Sequence, residues 1–293
     1  MDHTTTLAPA MQHWLERKIA SNKVSSANSV RIYQQHIRFA VAHLGDRPIG
    51  SYTVDDLNGY MVHVASSVGK STAYSRLGVA IDFFAMASAY DWITENPARQ
   101  IAQERQAPKK GKPRPSPKQA TDRLLAEAAP RERLMIMLAV DLGLRRFEIA
   151  KLRREDFDVH ERQLSILGKG DDDSVLPVSN RLIDAMDEWC TEKGIGPTGW
   201  LFPSKRGDLG HLTKGQVGRA ITHASNKMGL HITPHRYRHR AATDMMNRHG
   251  LKAAQQLMRH ASSATTDIYA ELDTATLQAM VDDLHAEPLD PAA

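Results

Sequence analysis

Six side chains in the C-terminal half of the chain are of the types that phosphoryl transfer requires when no metal takes part: Arg145, Lys169, His235, Arg238, His260 and Tyr269. Such a reaction needs cations for the non-bridging phosphate oxygens, a proton donor for the leaving oxygen, and a nucleophile. The residues sit in Gly143-Leu144-Arg145-Arg146-Phe147-Glu148-Ile149, in Gly168-Lys169-Gly170, in His235-Arg236-Tyr237-Arg238-His239 and in Leu257-Met258-Arg259-His260, with Tyr269 nine residues after the last histidine. Each segment alone is a weak motif, since an arginine after Gly-Leu is common. The order and spacing of all of them carry the reading.

The elements that must position these groups follow from periodicity and turn chemistry. Leu134 to Val140 is apolar almost all round, which predicts a buried helix, and Gly143 stands where a left-handed residue would end it, so Arg145 emerges at a helix end. Phe157-Asp158-Val159, Gln163 to Leu167 and Ser174 to Val178 are short alternating or β-branched runs that predict a small antiparallel sheet, with Lys169 at a hairpin tip. Thr233-Pro234 is a helix-start signal, with Thr233 as cap, and it places His235 and Arg238 on one face of the first turns, where free N–H groups favour a phosphate. From about Leu7 to Gln106 the pattern is helical throughout. Val30, Tyr33, Ile37, Val41 and Leu44 face a core and Arg31, Gln35 and Arg38 lie opposite, Ser71 or Thr72 is a candidate cap for a later helix, and Asn96-Pro97 ends the bundle. Between Pro108 and Lys118 recurrent prolines and five cations exclude a helix or a central strand and predict an extended linker. This strap, with Lys109, Lys110, Lys112 and Arg114, is either a tether or a contact to DNA phosphates.

The chain of 293 residues, 41% apolar and 25% charged, is long enough for two domains, and neither disorder nor a membrane protein fits it. The net charge of +4 permits a nucleic-acid partner without establishing one. A single cysteine, Cys190, excludes an internal disulfide, reads as a helix-core residue and fits a reducing compartment; with no signal peptide, a cytoplasmic location is expected. The fourteen histidines do not pair with cysteines or carboxylates at ligand spacing, so no metal and no cofactor is expected.

Taken together, the boxes resemble those of the tyrosine recombinase and phage integrase family, most densely from Leu134 to Leu272. The resemblance implies a mainly α protein: a helical core-type DNA-binding domain over 1–107, the basic linker over 108–118, and an α-rich catalytic domain with a small antiparallel sheet over 119–293, closing as a C-shaped clamp on double-stranded DNA. It implies that Arg145 and Arg238 hold the non-bridging oxygens of the scissile phosphate, a task suited to a planar, always charged guanidinium. His235 and His260 would add hydrogen bonds and manage the nucleophile's proton. Tyr269 would attack phosphorus to leave a 3'-phosphotyrosyl link, and Lys169 would protonate the 5'-oxygen. Glu148 would brace an arginine or histidine, and Tyr237, where the family usually has leucine, would pack. Arg31, Lys70, Thr72 and Arg76 are carried over as DNA contacts.

Two departures from the family stand out. Asp171-Asp172-Asp173 follow the hairpin lysine where basic residues are common, and Arg259 replaces the usual glycine before the histidine, from where it could contact phosphate. The implied activity is site-specific strand exchange by a homotetramer on two DNA sites through a Holliday junction, in a compact phage or mobile-element integrase without an arm-site domain. The alternatives are a Xer-type resolvase of chromosome dimers, a type IB topoisomerase, and a DNA-binding protein of the same fold without chemistry. After Tyr269, Leu277, Met280, Val281 and Leu284 form an apolar stripe, with Asp273, Gln278, Asp282, Asp283 and His285 polar. That stripe either packs on its own domain or docks on a neighbouring subunit.

Overall fold

The computed structural model describes residues 1–108, 114–166, 174–205, 207–259 and 274–284. The chain divides into two units, Met1–Gly111 and Lys112–Ala293. The described residues of the first hold five α-helices: α1 (Leu7–Ala20), α2 (Ala27–Leu44), α3 (Val54–Ser67), α4 (Lys70–Ala89) and α5 (Arg99–Glu104). Trp14, Ile37, Leu57, Tyr60, Phe83, Phe84 and Ile101 form its core. Arg31, Gln35 and Arg38 are exposed along α2, as their spacing predicts.

Two local expectations fail in this unit. The N-cap of α4 is Gly69, and neither Ser71 nor Thr72 caps it; Ser71 instead lies inside the helix, where its carbonyl accepts from Ser75 Oγ at 3.1 Å. Nor does Asn96-Pro97 end the bundle. Asn96 Oδ1 accepts from the Ala98 N–H at 2.9 Å, closing a tight turn, and the chain re-enters a helix whose Ile101 is fully buried.

The second unit begins with α6 (Lys118–Glu127), α7 (Pro130–Val140) and α8 (Arg146–Lys151), passes through β1 (Phe157–Asp158), β2 (Gln163–Ile166) and β3 (Ser174–Pro177), and continues with α9 (Asn180–Lys193), α10 (Lys214–Lys227), α11 (Pro234–Met258) and α12 (Thr274–Asp283). The sheet is antiparallel in the order β1-β2-β3, and Leu164 on the central strand faces Phe157 on one side and Leu176 on the other. Residues 134 to 139 of α7 are all buried, because a helix apolar all round has to sit inside its domain. Cys190 is buried on α9, whose Trp189 donates to the Leu201 carbonyl at 2.8 Å. At Gly250 (φ 85, ψ 175) α11 is broken, so residues 234–249 and 251–258 are two helical pieces with different directions. Among the described residues no helix is long and apolar enough to cross a membrane.

Candidate active site

Three chain segments meet around one buried carboxylate. The first is the turn after α7. Gly143 adopts φ +60, a conformation that favours glycine, and a Cβ there would lie 2.0 Å from the Met258 methyl, so any larger residue would also have to displace the end of that side chain. The turn delivers Arg145 to the N-cap position of α8, and Glu148, three residues on, reaches back to the Arg145 backbone N–H at 2.6 Å, as the glutamate of a capping box does. The same carboxylate accepts from Arg145 Nη1 at 2.9 Å.

The second segment is the first turns of α11. Pro234 occupies its first position, and Thr233 is the N-cap residue by backbone geometry, yet the Thr233 side chain makes no capping hydrogen bond, contrary to the expectation from sequence. Arg238 is buried, with 8% of its surface exposed. Its guanidinium donates to the carbonyls of Gly143 and Met258, the latter at 2.8 Å, and so ties the turn after α7 to the far end of α11. His235 is exposed one turn earlier, and its ring meets His239 edge-on at 4.2 Å.

The third segment is the end of α11. Arg259 holds a left-handed conformation, φ 47 and ψ 53, at the C-cap position where glycine is favoured, at a cost of about 1 kcal/mol for a side-chain-bearing residue. Its Nη2 donates to Glu148 Oε2 at 2.9 Å. Glu148 thus receives three donors from two arginines that lie 114 positions apart in the chain, Arg145 and Arg259. Arg145, Arg238 and Arg259 against the one glutamate leave an excess of positive charge. Burial first, and then the neighbouring Arg145, push Arg238 down to about 10, with Glu148 opposing; burial likewise lowers Arg259, and the Glu148 carboxylate opposes that. Both guanidiniums remain charged at neutral pH, which an anion-binding site requires.

Tyr237 is fully buried, and burial pushes its hydroxyl up to about 12, so it packs and is unsuited to act as a nucleophile near neutral pH. Lys169, His260, Tyr269 and Asp171, Asp172 and Asp173 lie outside the described residues. In the N-terminal unit Arg31, Lys70 and Thr72 are exposed, whereas Arg76 lies over the Phe39 ring at 3.7 Å and is half-buried. Of the basic strap, Lys109, Lys110 and Lys112 lie outside the described residues, and Arg114 is exposed. The chain from Arg114 to Ser116 is pinned to α11, because Arg236 donates to the carbonyls of Arg114 and Pro115 and its own carbonyl accepts the Ser116 N–H. Sequence reading missed the Glu148–Arg259 pair, for which no local signal exists, and the His235–His239 contact, which the i,i+4 spacing of the two rings does signal.

Residues 117–276 match the phage integrase family. Over 96% of this chain and 97% of the relative, the chain is 28% identical to the tyrosine recombinase XerC of Psychromonas ingrahamii, and it is 30% identical to that of Alcanivorax borkumensis over 91% of each. The chain belongs to the phage integrase family. It is a tyrosine recombinase, an enzyme that breaks and rejoins double-stranded DNA at specific sites. Among solved structures, the integrase of mycobacterium phage Brujita is 25% identical over 97% of this chain and 96% of its own, with a TM-score of 0.52. A lambda integrase dimer bound to a COC' core site shares the fold, with a TM-score of 0.72 at 20% identity over all of this chain and 81% of that one.

Proposed function

We propose that this recombinase cleaves DNA at the Arg145–Glu148–Arg238 cluster. The observation that carries the assignment is one buried carboxylate holding the partly exposed Arg145 guanidinium, 38% open to solvent, beside the buried, charged Arg238. Arg145 and Arg238 bind the non-bridging oxygens of the scissile phosphate, and the free N–H groups at the start of α11 add to the same field. Tyr269 attacks phosphorus through its hydroxyl oxygen and gives up its proton, with His235 and His260 assisting. The P–O5' bond breaks, and Lys169 protonates the departing 5'-oxygen. The 3'-phosphotyrosyl bond conserves the energy of the phosphodiester, and a 5'-hydroxyl from the partner strand reverses the step. The helical unit, with Arg31, Lys70, Thr72 and Arg76, and the strap with Lys109, Lys110, Lys112 and Arg114 contact the duplex. Two sites exchange strands in a homotetramer through a Holliday junction. The biological role is integration and excision of a phage or mobile element; the near full-length similarity to XerC proteins favours a second reading, resolution of chromosome dimers.

A nicked suicide duplex carrying the cognate site tests the chemistry. The wild-type protein should give a DNA-shifted band under denaturing conditions and Tyr269→Phe none, so a band with the variant would refute the nucleophile. Sequencing the DNA trapped in such complexes inside the host would place the sites either at the ends of an element or at a chromosomal locus.

A further inference from the structure

We infer that Arg259 is a positioning residue for the transferred phosphate: it acts on Glu148, and through Glu148 on Arg145. The side chain is 12% exposed against 38% for Arg145, so the two arginines that share Glu148 are not equivalent. Arg145 keeps an open edge toward a ligand, while Arg259 is turned inward, with Nη2 on Glu148 at 2.9 Å and Nη1 3.5 Å from the Leu257 carbonyl. Each oxygen of Glu148 is then held: Oε1 by Arg145 Nη1, and Oε2 by the Arg145 backbone N–H and by Arg259. A carboxylate bound by Arg145 alone can swing with it. Bound also by a residue of the α11 C-cap, it becomes a fixed post between the turn after α7 and the end of α11. Arg238 spans the same two segments through the carbonyls of Gly143 and Met258, so Arg259 and Arg238 are two separate ties between them. The left-handed backbone at Arg259, unfavourable for arginine, is the geometry that directs this side chain inward.

This inference rests on Arg145 as a phosphate ligand, and the experiment separates the two claims. Full-length Arg259→Gly, Arg259→Lys, Glu148→Gln, the Arg259→Gly/Glu148→Gln double variant and Arg145→Ala are compared for single-turnover covalent complex formation on suicide duplexes. One duplex carries a normal scissile phosphate and the other a methylphosphonate, in which an uncharged methyl replaces one non-bridging oxygen. Glycine suits the backbone at position 259, which offsets part of the lost ion pair, so Arg259→Gly should still fold and bind DNA normally, yet react roughly 10- to 100-fold more slowly on the normal phosphate, as expected for a misplaced catalytic group. Arg259→Lys should recover part of the rate. The double variant should be no slower than the slower single variant, because both changes remove one tie. On the methylphosphonate the defects of Arg145→Ala and Arg259→Gly should shrink together, since the charge that Arg145 neutralises is gone. A multiplicative double variant, an unimpaired Arg259→Gly, or a defect insensitive to the methylphosphonate while that of Arg145→Ala shrinks would overturn the inference alone. An Arg145→Ala protein that cleaves both substrates at the wild-type rate would overturn the phosphate site and the inference with it.

Discussion

Arg238 shows at the scale of one residue why a cluster of buried arginines, such as the proposed phosphate site, is unstable ground for a protein. Its guanidinium is taken out of water between two backbone carbonyls and beside two other arginines, and its proton is held less tightly in consequence. A bound phosphate would supply the missing counter-charge. A second buried base is His36 on α2 of the N-terminal unit, and burial first, then the nearby Arg76, lower its proton affinity. The folded state therefore takes up this proton less readily than the unfolded chain. The stability it contributes is complete above the unfolded imidazole value, about 6.5, and is lost as pH falls through that value toward the lower folded one. The N-terminal unit should melt at progressively lower temperature as pH falls below about 6.5. His36→Gln should flatten that slope; a calorimetric series in which variant and wild type lose stability in parallel would rule His36 out as the cause.

At the scale of elements, α12 shows how an apolar stripe acquires an address. In the structure it lies on its own unit: Leu277 and Val281 are buried, Met280 and Leu284 pack against the same core, and Gln278 donates to the Val178 carbonyl. Arg162 on the β1–β2 turn pairs with Asp282 at 2.5 Å, and Arg248 and His249 of α11 approach Asp283. These partly exposed pairs select the seat more than they stabilise it. Truncating Leu277 and Val281 together to alanine should cost roughly 4 kcal/mol from lost burial and the cavities left behind, with a fall in melting temperature of roughly 10 °C. A urea titration showing a loss below about 1 kcal/mol would mean that the helix contributes little to this core. If strand exchange passes α12 to a neighbouring subunit, that subunit has to offer a comparable apolar seat.

At the scale of the whole molecule, each unit has its own core, and the two are joined by a strap whose C-terminal end is held by Arg236 on the first turn of α11, next to His235. A modest net charge of +4 makes the placement of cations more important than their number. Replacing Lys109, Lys110, Lys112 and Arg114 by alanine should weaken binding to every DNA sequence alike and flatten the dependence of log K on log salt by roughly 0.9 per lost phosphate contact. An unchanged slope would identify the strap as a tether.

The amino-acid order by itself determined the class of enzyme and most of the local elements. Arg145, His235 and Arg238 stand in boxes whose spacing is legible, residues 134 to 139 are apolar enough to read as a buried helix, and alternation places the three strands to within about a residue of where they lie. Signals of that kind act over a few neighbours. What needed the tertiary structure are relations between distant residues: Glu148 with Arg259, Arg238 with the Gly143 and Met258 carbonyls, Arg76 folded onto Phe39 instead of standing free on a surface, and the choice of seat for α12. Asn96-Pro97 looked like an end and is a turn, because a hydrophobic residue five positions on, Ile101, gains more by entering the core than the chain loses at the proline. Arg259 marks the boundary best. Its departure from glycine is visible in the sequence, but whether it contacts phosphate or a carboxylate depends on which group the fold brings within 3 Å, and the left-handed turn at the end of α11 aims it at Glu148.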